Sequence, residues 1–499
     1  MQDDTNTRRD FIKKSSVVSA GILAAPHISF AGRKSNALMK RPFGKLNFDV
    51  TTFGLGGQAS LQWTPADVNP VPIIIKAYEA GVNYFDTSNL YGPSQLNYGK
   101  AFRQLGLVPG LSNYDENKRK AIFLTSKSQL RYAKGKSETL KIDYWSNGDP
   151  EGGTISDVRR TLSQVFGDGK GNFPKGSYLD MLLLHTVSSM EDVEAAYEGY
   201  DNPDPNAERI GALAALLDYR DGTNKTGLNP QNEKLIRHIG FSGHYSPLVM
   251  TEMIHRDTKN IIDGMLVAIN ANDKLNFNMQ HNVIPIAAAK NMGIIAMKVF
   301  ADGAMYTKPA TWSNLPEHVV RVVGTPELPS NPFIHYTLST PGVSTLIIGI
   351  GQISDNHSRC QLFQNIAAAQ IEPNGMSSEK RKSVELLAQK VKDGKTNYFQ
   401  DPNARMIFIR EPALKISESD NKKIVKVLWH TAFAKDEPIE RYEIFRNNER
   451  IAIVPHSPQI SIKPFEYRDE ISFTGKLAYK VIAYDKAGNT VETKEMAAV

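Results

Sequence analysis

Residues 81–92 read GVNYFDTSNLYG. A glycine turn opens the stretch, residues 82–85 form a short, largely apolar run, and Asp86 and Tyr91 follow at once. Apolar residues in succession, rather than in alternation, mark a strand buried on both faces. The carboxylate and the phenol therefore stand just past the end of a covered strand, where loops carry polar groups to a ligand.

Seven further runs have the same character: TTFGLGG (51–57), AIFLTSK (121–127), DMLLLH (180–185), HIGFSG (238–243), GMLVAIN (264–270), GIIAMK (293–298) and STLIIGI (344–350). Between them lie helix-like stretches at 72–80, 155–166, 232–237, 285–291 and 331–338. Strand and helix patterns in alternation imply parallel βα units, and eight units predict an α/β fold of the (β/α)8, or TIM, barrel type. No G-x-G-x-x-G follows the first run, which argues against an open doubly wound sheet. Residues 128–153 and 187–230 are long insertions after the third and fourth runs, and each reads equally as a wall or lid over the barrel mouth or as surface decoration.

From about residue 405 the pattern changes. Val425, Val427 and Trp429 alternate with polar residues, as do Tyr479, Val481 and Ala483, while Asn447-Asn448 and Ala487-Gly488-Asn489 supply turns. Residues 405–499 thus read as a small all-β sandwich, joined to the barrel by a helical linker at 371–404. The segments around 436–446 and DKAGN (485–489) give it a resemblance to fibronectin type III modules.

The other end carries an address. Thr7-Arg8-Arg9-Asp10-Phe11-Ile12-Lys13, a short apolar stretch at 17–25 and Ser29-Phe30-Ala31 match a twin-arginine export signal with its cleavage site, at residues 1–31. The apolar stretch is about half of what a bilayer span requires, so no stable membrane span is expected. The expected localisation is periplasmic and the first partner is the twin-arginine (Tat) export machinery, a route that carries folded chains.

A chain of 499 residues with 41% hydrophobic and 22% charged residues is long enough for two or more globular domains. Its net charge is +6; four basic and three acidic residues in the first 31 account for +1, leaving +5. That excess is spread out, without a basic block interleaved with aromatics, so nucleic-acid binding is not expected. Cys360 is the only cysteine, which excludes an intrachain disulfide and a thiolate zinc cluster. The strand ends hold too few carboxylates for a metal-dependent isomerase, and no metal is expected.

Asp86, Tyr91, Lys127 and His185 stand at or just after the ends of runs two, three and four. A barrel brings such positions to one mouth. There they make chemical sense together, because a phenol of ordinary pKa near 10 is a poor acid at neutral pH. A neighbouring ammonium stabilises the phenolate, a carboxylate holds the ammonium charged, and a neutral imidazole orients the oxygen that receives the proton. Tyr91 is the expected proton donor, Lys127 its tuner, Asp86 the partner of the lysine, and His185 the orienting group.

GVNYFDTSNLYG, FLTSK and DMLLLH, in that order after FGLGG, resemble the aldo/keto reductases over residues 41–370. The resemblance implies a barrel that binds NAD or NADP without a Rossmann domain, an Asp-Tyr-Lys-His tetrad, and hydride transfer between the nicotinamide and a carbonyl or alcohol. It also places cofactor contacts on Ser242, Gly243, Lys298, Val299, Gly349 and Gln352. Here the sequence departs from the family: Ser242-Gly243-His244 stands where a Ser-Asn pair is usual, and Lys298-Val299-Phe300 where a nicotinamide-stacking aromatic is expected. Gly351 and Gln352 replace a basic residue after strand eight, with Arg359 the nearest cation and Asp355-Asn356 near the place of a Glu-Asn pair. NADH and NADPH both remain open. The departures keep a second reading alive, a non-catalytic or sensory barrel that binds a ligand or partner in the cell envelope. They also suit a cofactor held permanently and alternating between two substrates. The export address and polar loops point to a small-molecule substrate such as a sugar or keto-sugar, with Trp63, Trp145 and Tyr132 as wall aromatics.

Overall fold

All eight apolar runs are strands: β1 Phe53–Leu55, β2 Tyr84–Asp86, β3 Phe123–Ser128, β4 Leu179–Leu184, β5 Ile236–Gly243, β6 Ile262–Ala268, β7 Gly293–Met297 and β8 Thr345–Ile348. Each pairs in parallel with its sequence neighbours and β8 returns to β1, closing the sheet into a barrel. The computed structural model describes residues 38–135, 153–274, 276–396, 406–419, 422–472 and 475–498. The expected export signal, residues 1–31, and Trp145 lie outside those residues.

Closure explains the sequence pattern. Tyr84, Phe123, Met181, Leu183, Leu266 and Ile295 fill the interior. Their chain neighbours Phe85, Leu124, Leu182, Val267 and Ile294 pack outward against the helices. The period of two persists, but both faces are apolar because neither meets water. An antiparallel hairpin, Lys40–Pro42 with Asp49–Thr51, closes the bottom with Phe43, Leu46 and Val50. Gly293 must be glycine there, since a Cβ would stand 2.5 Å from the Phe43 ring.

The surrounding helices are α1 Val71–Glu79, α2 Ser94–Leu105, α3 Gly153–Phe166, α4 Met190–Tyr197, α5 Ala212–Asp221, α6 Pro247–Arg256, α7 Met279–Ala289, α8 Asn331–Leu338 and α9 Gln361–Ala368. Two expectations need correction. Residues 232–237 are not a helix: Asn232 has a left-handed φ of 51° and Ile236 already begins β5. The helix before β5 is α5, which stops at Gly222 with φ 71°. Nor is 187–230 an open insertion, because α4 and α5 lie within it.

Beyond the barrel, α10 Ser378–Gln389 occupies the expected linker. The C-terminal strands β9 Ala413–Ser419, β10 Lys422–Trp429, β11 Ile439–Arg446, β12 Glu449–Pro455, β13 Phe465–Ile471 and β14 Leu477–Asp485 form antiparallel sheets of three (β9-β10-β13) and five strands. Val425, Val427, Trp429, Tyr442, Ile444, Tyr479, Val481 and Ala483 form their shared core. Asn447 and Asn448, both with positive φ, make the tight turn from β11 to β12.

These sheets dock on the barrel through polar contacts. Asn282 on α7 exchanges hydrogen bonds with the backbone of Ala434, its Nδ2 donating at 2.9 Å and its Oδ1 accepting at 2.8 Å. Arg410 pairs with Glu252, His255 Nε2 meets Gln459 O at 2.6 Å, and Lys274 reaches Asp436 at 3.2 Å. The linker adds a strap: Lys392 Nζ donates to Ala304 O and Lys308 O, each at 2.6 Å.

Candidate active site

Register delivers the tetrad. Asp86 pairs with Thr125, and Lys127, two residues further along β3, pairs with Leu183. His185 lies two residues beyond Leu183, so each step to the next strand climbs two residues and keeps to the inner face. Past β2 the chain stays fastened to β3, with Thr87 N donating to Thr125 O and Asn89 N to Lys127 O. The Asn89 side chain donates to Asp157 O and Thr161 Oγ1, each at 3.0 Å. This fixes the short loop that carries Tyr91.

The result is one compact group. Lys127 Nζ donates to Asp86 Oδ1 at 2.6 Å, to Thr87 O at 2.8 Å and to the Tyr91 hydroxyl at 3.4 Å. All three ammonium protons are thereby directed. His185 crosses Tyr91 edge to face at a centroid distance of 5.7 Å, and its Nδ1 lies 3.2 Å from Ser88 Oγ. Burial, then the Lys127 charge, holds the His185 pKa well below its ordinary value, so the imidazole is neutral. Burial raises the pKa of Asp86 against the opposing pull of Lys127, and lowers that of Lys127 against the pull of Asp86.

A cavity of about 850 Å³, counting the volume open at its mouth, extends from Asp86 and Tyr91 across the ends of β7, β8 and β1. Lys298, Val299 and Gly349 line it, together with Trp63 and Phe300. Ser242 and Gly243 are outside the lining; Ser242 is fully buried and its Oγ accepts from Thr186 N at 2.8 Å. Gly243 is backed by α6, where a Cβ would stand 2.4 Å from Met250 Sδ; the thioether fills the room that a larger residue would take. Gln352 is exposed and outside the lining. Tyr132 is buried in a short strand, Tyr132–Lys134, paired with Ile210–Gly211.

Sequence reasoning missed several contributors. Gly56 and Gly57 let the β1 turn approach the cavity, and a Cβ on Gly57 would lie 2.4 Å from Asp86 O; their signal was the GLGG at the strand end. Met297, the last inward residue of β7, also lines the cavity, one residue before Lys298-Val299-Phe300. Among the described residues, the wall over the cavity comes from residues after β7, including Asp302, Ser313, His318 and Val320; most of the insertion after β3, residues 136–152, lies outside the described residues. Asp302 bridges Lys298 at 3.0 Å and Lys308 at 2.9 Å.

The site also fits a nucleotide. On α9, Asn365 is fully buried with neither amide atom hydrogen-bonded, and Gln361 Oε1, a turn earlier and beside the cavity, is equally uncommitted. Desolvated amides are costly unless a ligand completes them. Of the two, Gln361 lines the cavity. Among the described residues no group of three or more His, Cys, Asp or Glu side chains is placed to hold a metal ion, and no helix is long and apolar enough to cross a membrane.

The barrel, its inward tetrad and the nucleotide-sized cavity define a class that comparison with known proteins makes specific. The profile of the aldo/keto reductase family matches residues 52–368. The chain belongs to that family of oxidoreductases. Similar solved structures include an aldo/keto reductase from Klebsiella pneumoniae in complex with NADP and acetate, at 16% identity and TM-score 0.42, covering 73% of this chain and 99% of that one. A Bombyx mori aldo-keto reductase in complex with NADP has 14% identity and TM-score 0.41, covering 70% and 93%. Comparison with curated protein sequences returns no match.

Proposed function

We propose that this chain is an NAD(P)(H)-dependent oxidoreductase that interconverts a carbonyl and an alcohol with Tyr91 as proton donor. The observation that carries the reading is the buried Asp86-Lys127-Tyr91 relay, with Lys127 Nζ 2.6 Å from the carboxylate and 3.4 Å from the phenol. When bound, the nicotinamide supplies or accepts the hydride at the carbonyl carbon. Tyr91 gives its proton to the carbonyl oxygen, and the ammonium beside it stabilises the phenolate left behind. Ser88 Oγ accepts from Leu90 N at 3.2 Å, so its own proton is available to His185 Nδ1. That leaves the His185 proton on Nε2, where it can orient the substrate oxygen. In the oxidative direction each transfer reverses. Gln361, Asn365 and the turn at Lys298 and Val299 would hold the cofactor, with NAD or NADP as the form.

The twin-arginine signal at residues 1–31 supports export to the periplasm, and the fibronectin-like pattern of the C-terminal strands suits an envelope protein. A folded chain leaving the cytoplasm takes its cofactor with it, which favours a tightly held nicotinamide alternating between a reduced and an oxidised small molecule of the sugar or keto-sugar type. Nicotinamide fluorescence titration of wild type and Tyr91→Phe, followed by turnover of a carbonyl panel, tests the assignment. Both proteins should bind cofactor and only wild type should turn over; cofactor binding by neither would sink it and leave the sensory-barrel reading. Periplasmically purified protein should carry bound nucleotide, and an active nucleotide-free preparation would overturn the resident-cofactor part.

A further inference from the structure

His185 is the last of the tetrad along the chain, and the backbone that carries it is strained. Thr186, directly after it, has a left-handed φ of 56°. A β-branched side chain crowds its own backbone in that conformation, which persists only where neighbouring groups hold it. On the N–H side the adjacent strands supply the hold: His185 N donates to Ser128 O, Thr186 N to Ser242 Oγ and Val187 N to Ser242 O, each at 2.8 Å. On the carbonyl side one guanidinium takes both oxygens. Arg131, 1% exposed, donates from Nη2 to His185 O at 2.7 Å and to Thr186 O at 3.0 Å. Ser188 Oγ adds a bond to Thr186 O at 2.7 Å. Arg131 is itself fixed, with Nη1 donating to Gln129 O at 2.7 Å and Nε to Asp192 Oδ1 at 2.9 Å. Asp192 Oδ2 accepts from Ser188 N at 2.9 Å and from Ser189 N, at the N-cap of α4, at 3.2 Å.

We infer that Arg131 is a positioning residue for His185: its guanidinium holds the left-handed turn at Thr186 and thereby fixes the direction in which the imidazole faces Tyr91. The inference rests on the oxidoreductase reading and adds to its machinery a residue that does not line the cavity. A guanidinium is planar with its donors in a rigid fork, so one that grips two successive carbonyls sets the backbone angles between them. Those angles aim the Cα–Cβ bond of His185. The ring it carries meets Tyr91 edge to face at 5.7 Å and lies 3.2 Å from Ser88 Oγ, so a turn that relaxes swings the imidazole away from both. Arg131 comes from the segment after β3, two residues past Ser128, and so ties the exit of β4 to the strand that bears Lys127.

The test is a double replacement, because glycine adopts the left-handed conformation unaided. Arg131→Met should lower kcat for reduction of para-nitrobenzaldehyde by NADPH about 100-fold per folded molecule, the scale of a misplaced catalytic group, while the NADPH dissociation constant from fluorescence titration stays within about threefold. In the Thr186→Gly background the same replacement should cost less than about fivefold, since the turn no longer depends on the clamp. Arg131→Lys, which keeps the charge beside Asp192 and loses the fork, should fall between, and it makes the same comparison if the methionine variant does not fold. Isotope-labelled histidine, assigned through His185→Gln, gives a readout that needs no turnover. His185 should show a single Nε2-protonated tautomer in wild type, a mixture in Arg131→Met, and a single tautomer again in the double variant. An equal loss of kcat in both backgrounds, or lost stability with kcat and the His185 resonances unchanged, overturns the inference, makes the Arg131-Asp192 pair purely structural and leaves the oxidoreductase standing. Wild type that binds NADPH yet turns over no carbonyl compound overturns the oxidoreductase reading, and the His185 resonances then decide the clamp.

Discussion

Two buried ion pairs stand at opposite ends of the barrel, one at the mouth and one at the base. At the base, Arg119 donates to Asp180 Oδ2 at 2.8 Å and to Tyr178 O at 2.9 Å, with its guanidinium 4.0 Å over the Tyr178 ring. The same carboxylate takes Leu124 N at 2.9 Å and has Arg237 3.6 Å from its other oxygen. At the mouth, Asp86 Oδ2 is buried with no partner, and the third proton of Lys127 points along a long bond to a phenol. A pair that only holds structure is saturated on both sides. A pair that serves chemistry leaves capacity facing the cavity.

The sharpest way to break this comparison is to remove each cation. Lys127→Met should lower kcat/KM by about 1,000-fold, roughly 4 kcal/mol, while cofactor affinity holds within a few-fold. Its melting temperature should move little, because Asp86, already shifted toward the neutral form, takes a proton. Arg119→Met should do the reverse and cost about 3–5 kcal/mol in urea unfolding with normal turnover per folded molecule. If both variants lose stability equally and activity equally, the distinction is empty.

Replacing the carboxylates is the milder form. Asp86→Asn should reduce kcat about 100-fold, since a lysine without its partner gives up its charge in a dry site and no longer supports the phenolate. Asp180→Asn should leave kcat intact and shift the urea midpoint.

Acid tests the junction with the C-terminal sheets. Burial holds the pKa values of His255 and His281, both at that junction, down to about 4. The unfolded chain takes up protons on these residues below about 6.5, so their contribution is complete above that pH and is lost as pH falls toward 4. The loss should be on the order of 1 kcal/mol for each, read from urea midpoints between pH 7 and pH 4.5. Asp86, displaced upward, takes up its proton more readily folded than unfolded, so it does not drive that loss. His185 at the mouth, also held below its ordinary pKa, loses stability in the same direction, so substituting His255 and His281 with Gln should reduce the slope without abolishing it; an unchanged slope would place the sensitivity elsewhere. The smallest effect expected is about 1 kcal/mol for Arg119→Lys, which keeps the charge but forfeits the fork and much of the stacking on Tyr178.

The barrel and the tetrad were legible because closure makes each strand a doubly buried apolar run, and each functional residue then stands a fixed step beyond it. Asp86, Lys127 and His185 needed only the strand ends to be found. The nucleotide half was harder to read. Gln361 and Asn365 become significant through helical spacing and the absence of partners, which a chain of ordinary-looking amides does not announce. The cover from the segment after β7 depends on contacts such as Lys298-Asp302-Lys308 and on the left-handed backbone at Asp302, where φ is 58°. Residues 232–237 misled because Leu235 and Ile236 are both buried, and a short buried run has no period that separates helix from strand.

The strap from Lys392 to Ala304 O and Lys308 O, together with Asn272 Nδ2 donating to Thr396 Oγ1 at 3.0 Å, has a consequence for assembly in time. During synthesis from the N-terminus, the tetrad is complete once β4 and His185 have emerged, but the cover over the cavity lacks its fastening until some 85 further residues have followed Lys308. The residues of the tetrad are therefore synthesised well before the residue that fastens the cover.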